Sequence, residues 1–177
     1  MKVLKKILLV LVTLIVLLLV ISFFLPSSYN VSRSATFKAS PDSLFAQFND
    51  FRNWQKWNAF DDDYKSVSYV LSEPPYGKGA KQSWVANEKE KGEMTITASD
   101  PAKFMSYNIY FGGFDKPMIG EVSFAPTADG GTTVTWVDKG ELGNNPLYKW
   151  MCVLFMKSWM NKAMDKSFSN IKGVVEH

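Results

Sequence analysis

Few polar side chains in this sequence combine the type and the placement that chemistry requires. On the strands predicted below, alternation turns three polar residues toward the apolar side, namely Gln82, Tyr107 and Asp138. A buried tyrosine and carboxylate could orient a ligand, or could act as an acid/base pair if burial shifts their pKa values. The alternative is a satisfied core hydroxyl beside a carboxylate at the rim, and the sequence favours this alternative. Tyr107 and Asp138 are therefore weak candidates for catalysis.

Other catalytic chemistries find little support. His177 is the only histidine and is the last residue, which argues against a histidine triad or general base. Cys152 is the only cysteine, so no intrachain disulfide is expected, and we predict a small buried hydrophobe. Asp61–Asp63 are adjacent on one loop and should point in different directions, whereas hard cations need converging oxygen ligands. We therefore predict a solvated loop, with no metal site and no cofactor.

The N-terminus predicts a membrane anchor. Residues 7–25 form an uncharged apolar run of 19 residues, close to the roughly 20 that span a bilayer as a helix. A cleaved signal peptide is the alternative, but its apolar region is usually about 7–15 residues and ends in a small-x-small site, which is missing here. The run follows Lys2, Lys5 and Lys6. Because basic flanks stay in the cytoplasm, we expect a single-pass inner-membrane protein with an extracytoplasmic C-terminal domain.

Charge excludes one class of partner. The formal net charge is +3, but residues 1–28 hold three lysines and no acidic residue, so residues 29–177 carry 17 basic and 17 acidic side chains. A balanced domain has no electrostatic footprint for nucleic acid. We therefore divide the chain into an anchor at 1–28 and a domain at 29–177, and expect no nucleic-acid binding.

The spacing of apolar residues changes along residues 29–177, from strand-like alternation to helical spacing. A strand is predicted first, followed by a short helix with Ser40 as N-cap and Pro41 at its first position, and then a second short helix or turn. From Asn145 to Val175 apolar residues recur at helical spacing, which predicts one long helix. Seven strands are predicted in all, at 31–37, 65–72, 80–87, 92–99, 103–111, 117–126 and 131–140.

These elements predict an α+β fold. Short turns join the last six strands, so neighbours should be antiparallel. A seven-stranded antiparallel sheet twists, and it needs the long helix to cover its apolar face. The space between a curled sheet and one helix is hard to fill completely, so we expect a cavity there.

The layout resembles the helix-grip fold of the START and birch-pollen-allergen superfamily, and within it the SRPBCC polyketide cyclase/dehydrase-like branch. The segments that carry the resemblance are "ATFKASPDSLFAQFNDFRNWQKWNAF" (35–60), "YGKGAKQSW" (76–84), "KGEMTITASDP" (91–101), "GGTTVTWVDKGEL" (130–142) and "FSNIKGVVE" (168–176). The resemblance covers residues 30–176 and implies a hydrophobic cavity that binds lipids, sterols, polyketides or other apolar molecules. Some members of the superfamily are cyclases or hydrolases, so the resemblance defines the fold better than the substrate.

Alternation, helix spacing and the resemblance give candidate ligand-binding residues, and ordinary core packing is the alternative for each of them. The candidates are Trp57, Phe60, Trp84, Met94, Ile96, Tyr107, Ile109, Phe111, Met118, Val122, Trp136, Met156, Met160 and Met164. Within the aromatic stretch 48–60, the resemblance implies that Phe48, Phe51 and Trp54 pack inward and that Trp57 and Phe60 lie nearer the cavity mouth. The three helix methionines lie four residues apart on one face.

Three functions remain open at this stage. The first is a membrane-anchored module that binds an apolar small molecule or lipid. The second is a cyclase, dehydratase or hydrolase on the same fold. The third is a domain that binds another envelope protein, for which an exposed apolar patch around Trp150, Phe155 and Trp159 would be the mark.

Overall fold

Alternating apolar and polar residues build one antiparallel sheet, as the sequence predicts. The computed structural model describes residues 2–112 and 116–176. Over these residues the strands are β1 (Ser28–Phe37), β2 (Val67–Leu71), β3 (Lys81–Ala86), β4 (Glu90–Asp100), β5 (Phe104–Phe111), β6 (Met118–Pro126) and β7 (Thr132–Glu141). Their order in the sheet is β1-β7-β6-β5-β4-β3-β2. Consecutive strands from β2 to β7 form a meander, and β1 pairs with β7 along its whole length.

Two short helices follow β1. Helix α2 (Pro41–Asn49) begins after Ser40, whose side-chain oxygen accepts a hydrogen bond from the Ser43 backbone N–H at 3.3 Å. Helix α3 (Phe51–Trp54) is a single turn capped by Asp50. The predicted cap at Ser40 is confirmed, and its oxygen satisfies a backbone donor that the first turn leaves free.

The C-terminal helical region is continuous but not uniform. Helix α4 (Pro146–Met151) begins after the predicted cap Asn145, and helix α5 (Lys157–Val175) ends one residue before the last described residue. Between them Cys152–Met156 adopt a π-helix, which the sequence did not predict. Such one-turn π segments are frequent at functional sites.

The apolar face of α5 fills the concave side of the sheet. Its buried residues are Met160, Ala163, Met164, Ser167, Phe168 and Ile171. Phe37 of β1 meets Phe168 edge-on, with ring centroids 5.8 Å apart. Seven antiparallel strands, two short helices after β1 and a long closing helix confirm the predicted helix-grip fold, with strand ends differing from the predictions by up to three residues.

An apolar helix precedes the sheet. Helix α1 (Lys2–Ser22) has 21 residues and is long and apolar enough to cross a membrane. It contacts α4, where the Trp150 indole N–H donates a hydrogen bond to the Leu18 carbonyl at 3.1 Å. The last turn of α1 is thus joined to the start of the C-terminal helical region.

Candidate functional site

A cavity of about 280 Å³ lies between the sheet and the C-terminal helical region. Its walls are mainly aromatic, methionine and aliphatic side chains. They are Tyr29, Trp54, Asn58, Phe60, Asp61, Tyr64, Tyr69, Gln82, Trp84, Met94, Tyr107, Ile109, Phe111, Met118, Trp136, Asp138, Met156, Trp159 and Met160. Apolar cavities of about half this volume can hold benzene-sized molecules. A predominantly apolar pocket with a few polar groups is the usual form of a small-molecule site.

The structure brings ten of the fourteen sequence-predicted ligand residues to this cavity. They are Phe60, Trp84, Met94, Tyr107, Ile109, Phe111, Met118, Trp136, Met156 and Met160. The other four, Trp57, Ile96, Val122 and Met164, are almost fully buried in the core and do not line the cavity. Alternation predicts which face of the sheet a side chain occupies, but not how far along that face the cavity extends.

Of the two tryptophans after α2, Trp57 departs from its expected position, whereas Trp54 packs inward as expected. Trp54 lines the cavity, whereas Trp57 is 1% exposed and packs against Phe48, with ring centroids 4.8 Å apart. Helix α3 ends at Trp54, and the chain turns through residues 55–57. Spacing of three therefore does not continue one helical face to Trp57.

Three of the cavity's aromatic rings lie over glycines of the neighbouring strand. The cross-strand pairs are Tyr29–Gly140, Trp84–Gly92 and Tyr107–Gly120. A Cβ atom at Gly120 would lie 1.9 Å from the Tyr107 ring, and one at Gly92 would lie 2.2 Å from the Trp84 ring. The missing side chains let the rings lie close against the sheet. Glycine inside a strand often marks such a close approach.

A chain of hydrogen bonds crosses one wall of the cavity. The Trp136 indole N–H donates to the Tyr107 hydroxyl oxygen at 2.6 Å, and the Tyr107 O–H donates to Asp138 Oδ1 at 2.8 Å. Tyr107 reaches Asp138 because Gly120, which lies between them on β6, has no side chain. Both predicted polar residues are therefore partners in one buried pair.

Burial sets the protonation of this pair. Desolvation raises the pKa of Asp138 from 3.8 to about 7, although the hydrogen bond from Tyr107 and the nearby Trp136 indole N–H oppose the shift. Desolvation, followed by the nearby Asp138 charge, also raises the pKa of Tyr107 and of Tyr29. A carboxyl group that titrates near neutrality can give up or take up a proton. It can also donate a hydrogen bond when protonated and accept one when ionised.

Gln82 supplies a second polar point in the wall. The residue is 3% exposed, and its side-chain oxygen has no hydrogen-bond partner within residues 2–112 and 116–176. An unpaired buried amide is unfavourable, and a ligand hydroxyl or amine would satisfy it. Gln82 therefore adds a place where a mostly apolar ligand can be oriented.

The loop that follows α3 forms part of the cavity wall, and hydrogen bonds hold it to β2 and to α5. Asp61 accepts hydrogen bonds from Asn58 and from the Tyr69 hydroxyl on β2. Asp63 accepts from the Trp159 indole N–H at 2.6 Å. Asp62 instead pairs with Lys166 of α5 at 2.6 Å. The three carboxylates thus point to different partners, and within the described residues no cluster of ligands could hold a metal ion.

Sequence reasoning missed several wall residues. Tyr29 follows the same alternation as Val31, but β1 begins at Ser28 rather than at the predicted Val31. Tyr64 lies in the loop before β2, where no periodicity applies. Tyr69 lies on β2, where alternation with Val67 and Leu71 could have found it. The mid-strand glycines opposite Tyr29, Trp84 and Tyr107 were a usable signal for rings that lie against the sheet.

The comparison with protein families agrees with this geometry. Residues 28–176 match the profile of the family "Polyketide cyclase / dehydrase and lipid transport". The match covers most of the chain, and the chain belongs to this family within the START/SRPBCC superfamily. The domain is therefore of a ligand-binding or polyketide-cyclase-like type. No curated protein matches the sequence.

Solved structures share the fold at low sequence identity. A protein from Chromobacterium violaceum is 16% identical, with a TM-score of 0.59, and the match covers 86% of this chain and 99% of that one. A START superfamily protein from Mycobacterium smegmatis is 12% identical, with a TM-score of 0.57 and coverage of 83% and 97%. A protein of unknown function from Staphylococcus aureus is 14% identical, with a TM-score of 0.60 and coverage of 85% and 98%. These similarities show the fold alone.

Proposed function

We propose that the protein is a membrane-anchored binding protein that holds an apolar small molecule or a lipid between its sheet and its C-terminal helical region. The observation that carries the proposal is the cavity of about 280 Å³ with its aromatic and methionine walls. Methionine side chains adapt to irregular partners, and Met156 and Met160 supply them from the helical side. Gln82 and the Tyr107–Asp138 pair would orient the polar end of the ligand.

The anchor and its orientation are part of the same proposal. Helix α1 has the length and composition of a span, and the lysines at 2, 5 and 6 favour a cytoplasmic N-terminus. The binding domain, residues 29–177, would then lie outside the cytoplasmic membrane. A C-terminal reporter that is active only outside the cytoplasm tests this orientation.

Filling the cavity should remove the ligand. Met160 is 3% exposed and lines the cavity, so Met160→Trp places an indole in the proposed ligand volume. We expect organic extracts of the purified full-length variant to contain at least about tenfold less bound ligand, by mass spectrometry, than extracts of the wild type. The physical reason is that a close-packed interior has no room for both groups.

The matched control is Val70→Trp, which adds the same ring to an exposed position on β2 outside the cavity. It should retain the wild-type amount of ligand. Thermal unfolding shows whether Met160→Trp remains folded. Equal amounts of bound ligand in all three proteins would mean that the ligand is held by the anchor and not by the cavity. Wild-type protein without any bound ligand would also contradict the proposal.

An enzyme of the cyclase or dehydratase type is the second candidate. It is favoured by the Tyr107–Asp138 hydrogen bond together with the Asp138 pKa of about 7. Tyr107→Phe and Asp138→Asn should then each abolish turnover of a bound polyketide-like compound. Ligand that is retained unchanged by wild type and by both variants would favour the binding protein.

A further inference from the structure

An apolar surface lies on the outer side of the C-terminal helical region, away from the sheet. Its exposed side chains are Leu147, Met151, Val153, Leu154 and Phe155, which belong to α4 and the π-helix. Their exposed fractions run from 42% for Met151 to 69% for Leu147. We call these five side chains the α4–π surface. Exposed apolar groups that are contiguous along a helix usually mark a site of association.

The outer face of the same helical region changes character at the π-helix. Beyond Met156 the exposed positions become polar or charged, as at Ser158, Lys162 and Asp165, with Trp159 at the boundary. Residues 146–164 contain three lysines and no aspartate or glutamate. An apolar face that ends in tryptophan and lysine is typical of a helix at a membrane interface.

Contacts with α1 fix the position of this surface. Lys149 is 6% exposed, and its ammonium group donates to the Ser22 carbonyl at the end of α1 at 3.4 Å. The neighbouring Trp150 donates to the Leu18 carbonyl. Phe23 and Phe24, just after α1, are more than 80% exposed. The α4–π surface therefore adjoins the point where the apolar helix ends.

The cavity lies on the other side of the same helical turn. Met156, the last residue of the π-helix, lines the cavity, whereas Phe155 before it is 67% exposed on the outside. Trp159 also lines the cavity and is 40% exposed. The edge of the cavity and the α4–π surface thus meet at the π-helix.

We propose that the α4–π surface, with Phe23 and Phe24, is seated in the interface of the bilayer that α1 spans. The cavity then opens at the membrane, and its ligand is a lipid taken directly from that bilayer. The identity of the ligand and the spanning of the bilayer by α1 rest on the function proposed above, whereas the exposure of the surface and its position beside the end of α1 do not. A π-helix loosens the regular ladder of backbone hydrogen bonds, which suits a turn that must move for a lipid to pass.

Depth-dependent quenching tests the seating. In full-length protein with Cys152→Ala, a single cysteine at Phe155→Cys carries an environment-sensitive fluorophore, and the protein is reconstituted into phosphatidylcholine–phosphatidylglycerol vesicles. We expect doxyl-labelled lipids to quench it at least about threefold more than the same label at Lys162→Cys. Lys162 is the matched control, since it lies on the same helical region beyond the change to polar residues. Aqueous iodide should show the reverse order.

Two results would overturn the seating. Equal lipid quenching at the two positions would show that Phe155 lies no deeper in the bilayer than Lys162. Protection of the Phe155→Cys label from both quenchers would mean that protein, from a partner or a second copy, covers the surface.

A transfer assay separates this inference from the proposed function. Phe155→Asp should slow the uptake of a pyrene-labelled phospholipid from vesicles at least about tenfold and leave retention of ligand already bound unchanged, whereas Met160→Trp should lose both. Unchanged uptake by Phe155→Asp would overturn the membrane route. Lipid quenching at Phe155 in a protein whose cavity holds neither a lipid nor another apolar molecule would leave the seating intact and refute the proposed binding function.

Discussion

Gly120→Ala should lower the free energy of unfolding by about 3 kcal/mol, one of the largest effects that a single added methyl group can have. The new Cβ would lie 1.9 Å from the Tyr107 ring, so the ring must move. Its hydroxyl would then leave Asp138 and Trp136, and two buried polar groups would lose their partner. Thermal or chemical unfolding of the full-length chain in detergent, followed by near-ultraviolet circular dichroism, measures the loss.

The matched control is Gly173→Ala near the end of α5. A Cβ there meets nothing within 4 Å, so alanine should be neutral or stabilise the helix by up to about 1 kcal/mol. A double-mutant cycle assigns the cause. If Gly120→Ala is equally destabilising in a Tyr107→Leu background, the Tyr107 ring is not the reason for the close approach.

Stability should fall as pH rises from about 4 to about 7. Asp138 has a pKa of about 7 in the folded chain and an ordinary pKa near 3.8 when unfolded. Between these values the folded state holds a proton that the unfolded state has lost, so its stabilising contribution is complete below about pH 4 and lost above about pH 7. The fall should be on the order of a few kcal/mol. Asp138→Asn, which can still accept from Tyr107, should remove this slope.

Other titrating groups can be separated from this effect. Tyr29 and Tyr107 have raised pKa values and stay neutral throughout the range. Asp50 and Asp129 have lowered pKa values, so their contributions are lost only as the pH falls below about 4. Unfolding curves between pH 4.5 and 8 isolate Asp138. The account of its burial fails if the wild type and Asp138→Asn have the same slope.

The sheet and its covering helices were predictable because their patterns are local. Alternation on β4 and β5 predicts the inward faces of Met94 and Ile109, and Ser40 and Asn145 predict where helices begin. The π-helix at Cys152–Met156 was not predictable, because apolar spacing cannot distinguish it from a continuing α-helix. Its outward residues Val153, Leu154 and Phe155 form part of the α4–π surface.

The cavity was predictable only in part. Trp84 and Phe111 face it as alternation predicts, and their rings meet edge-on at 5.9 Å. Ile96 and Val122 share that face but lie in the filled core, because packing in three dimensions decides where the empty space begins. The loop residues Asp61 and Asp63 reach Tyr69 and Trp159 through contacts far apart in sequence, which no local pattern encodes.

Photo-crosslinking tests most directly whether a lipid occupies the cavity. The full-length protein is reconstituted into vesicles that contain a phospholipid with a diazirine in its acyl chain. After irradiation, mass spectrometry maps the labelled peptides. We predict labels on cavity residues such as Met118, Ile109 and Met160, lost in the Met160→Trp variant and kept in Val70→Trp. Labels confined to α1 and the α4–π surface, with none on strands β3 to β7, would contradict a lipid in the cavity.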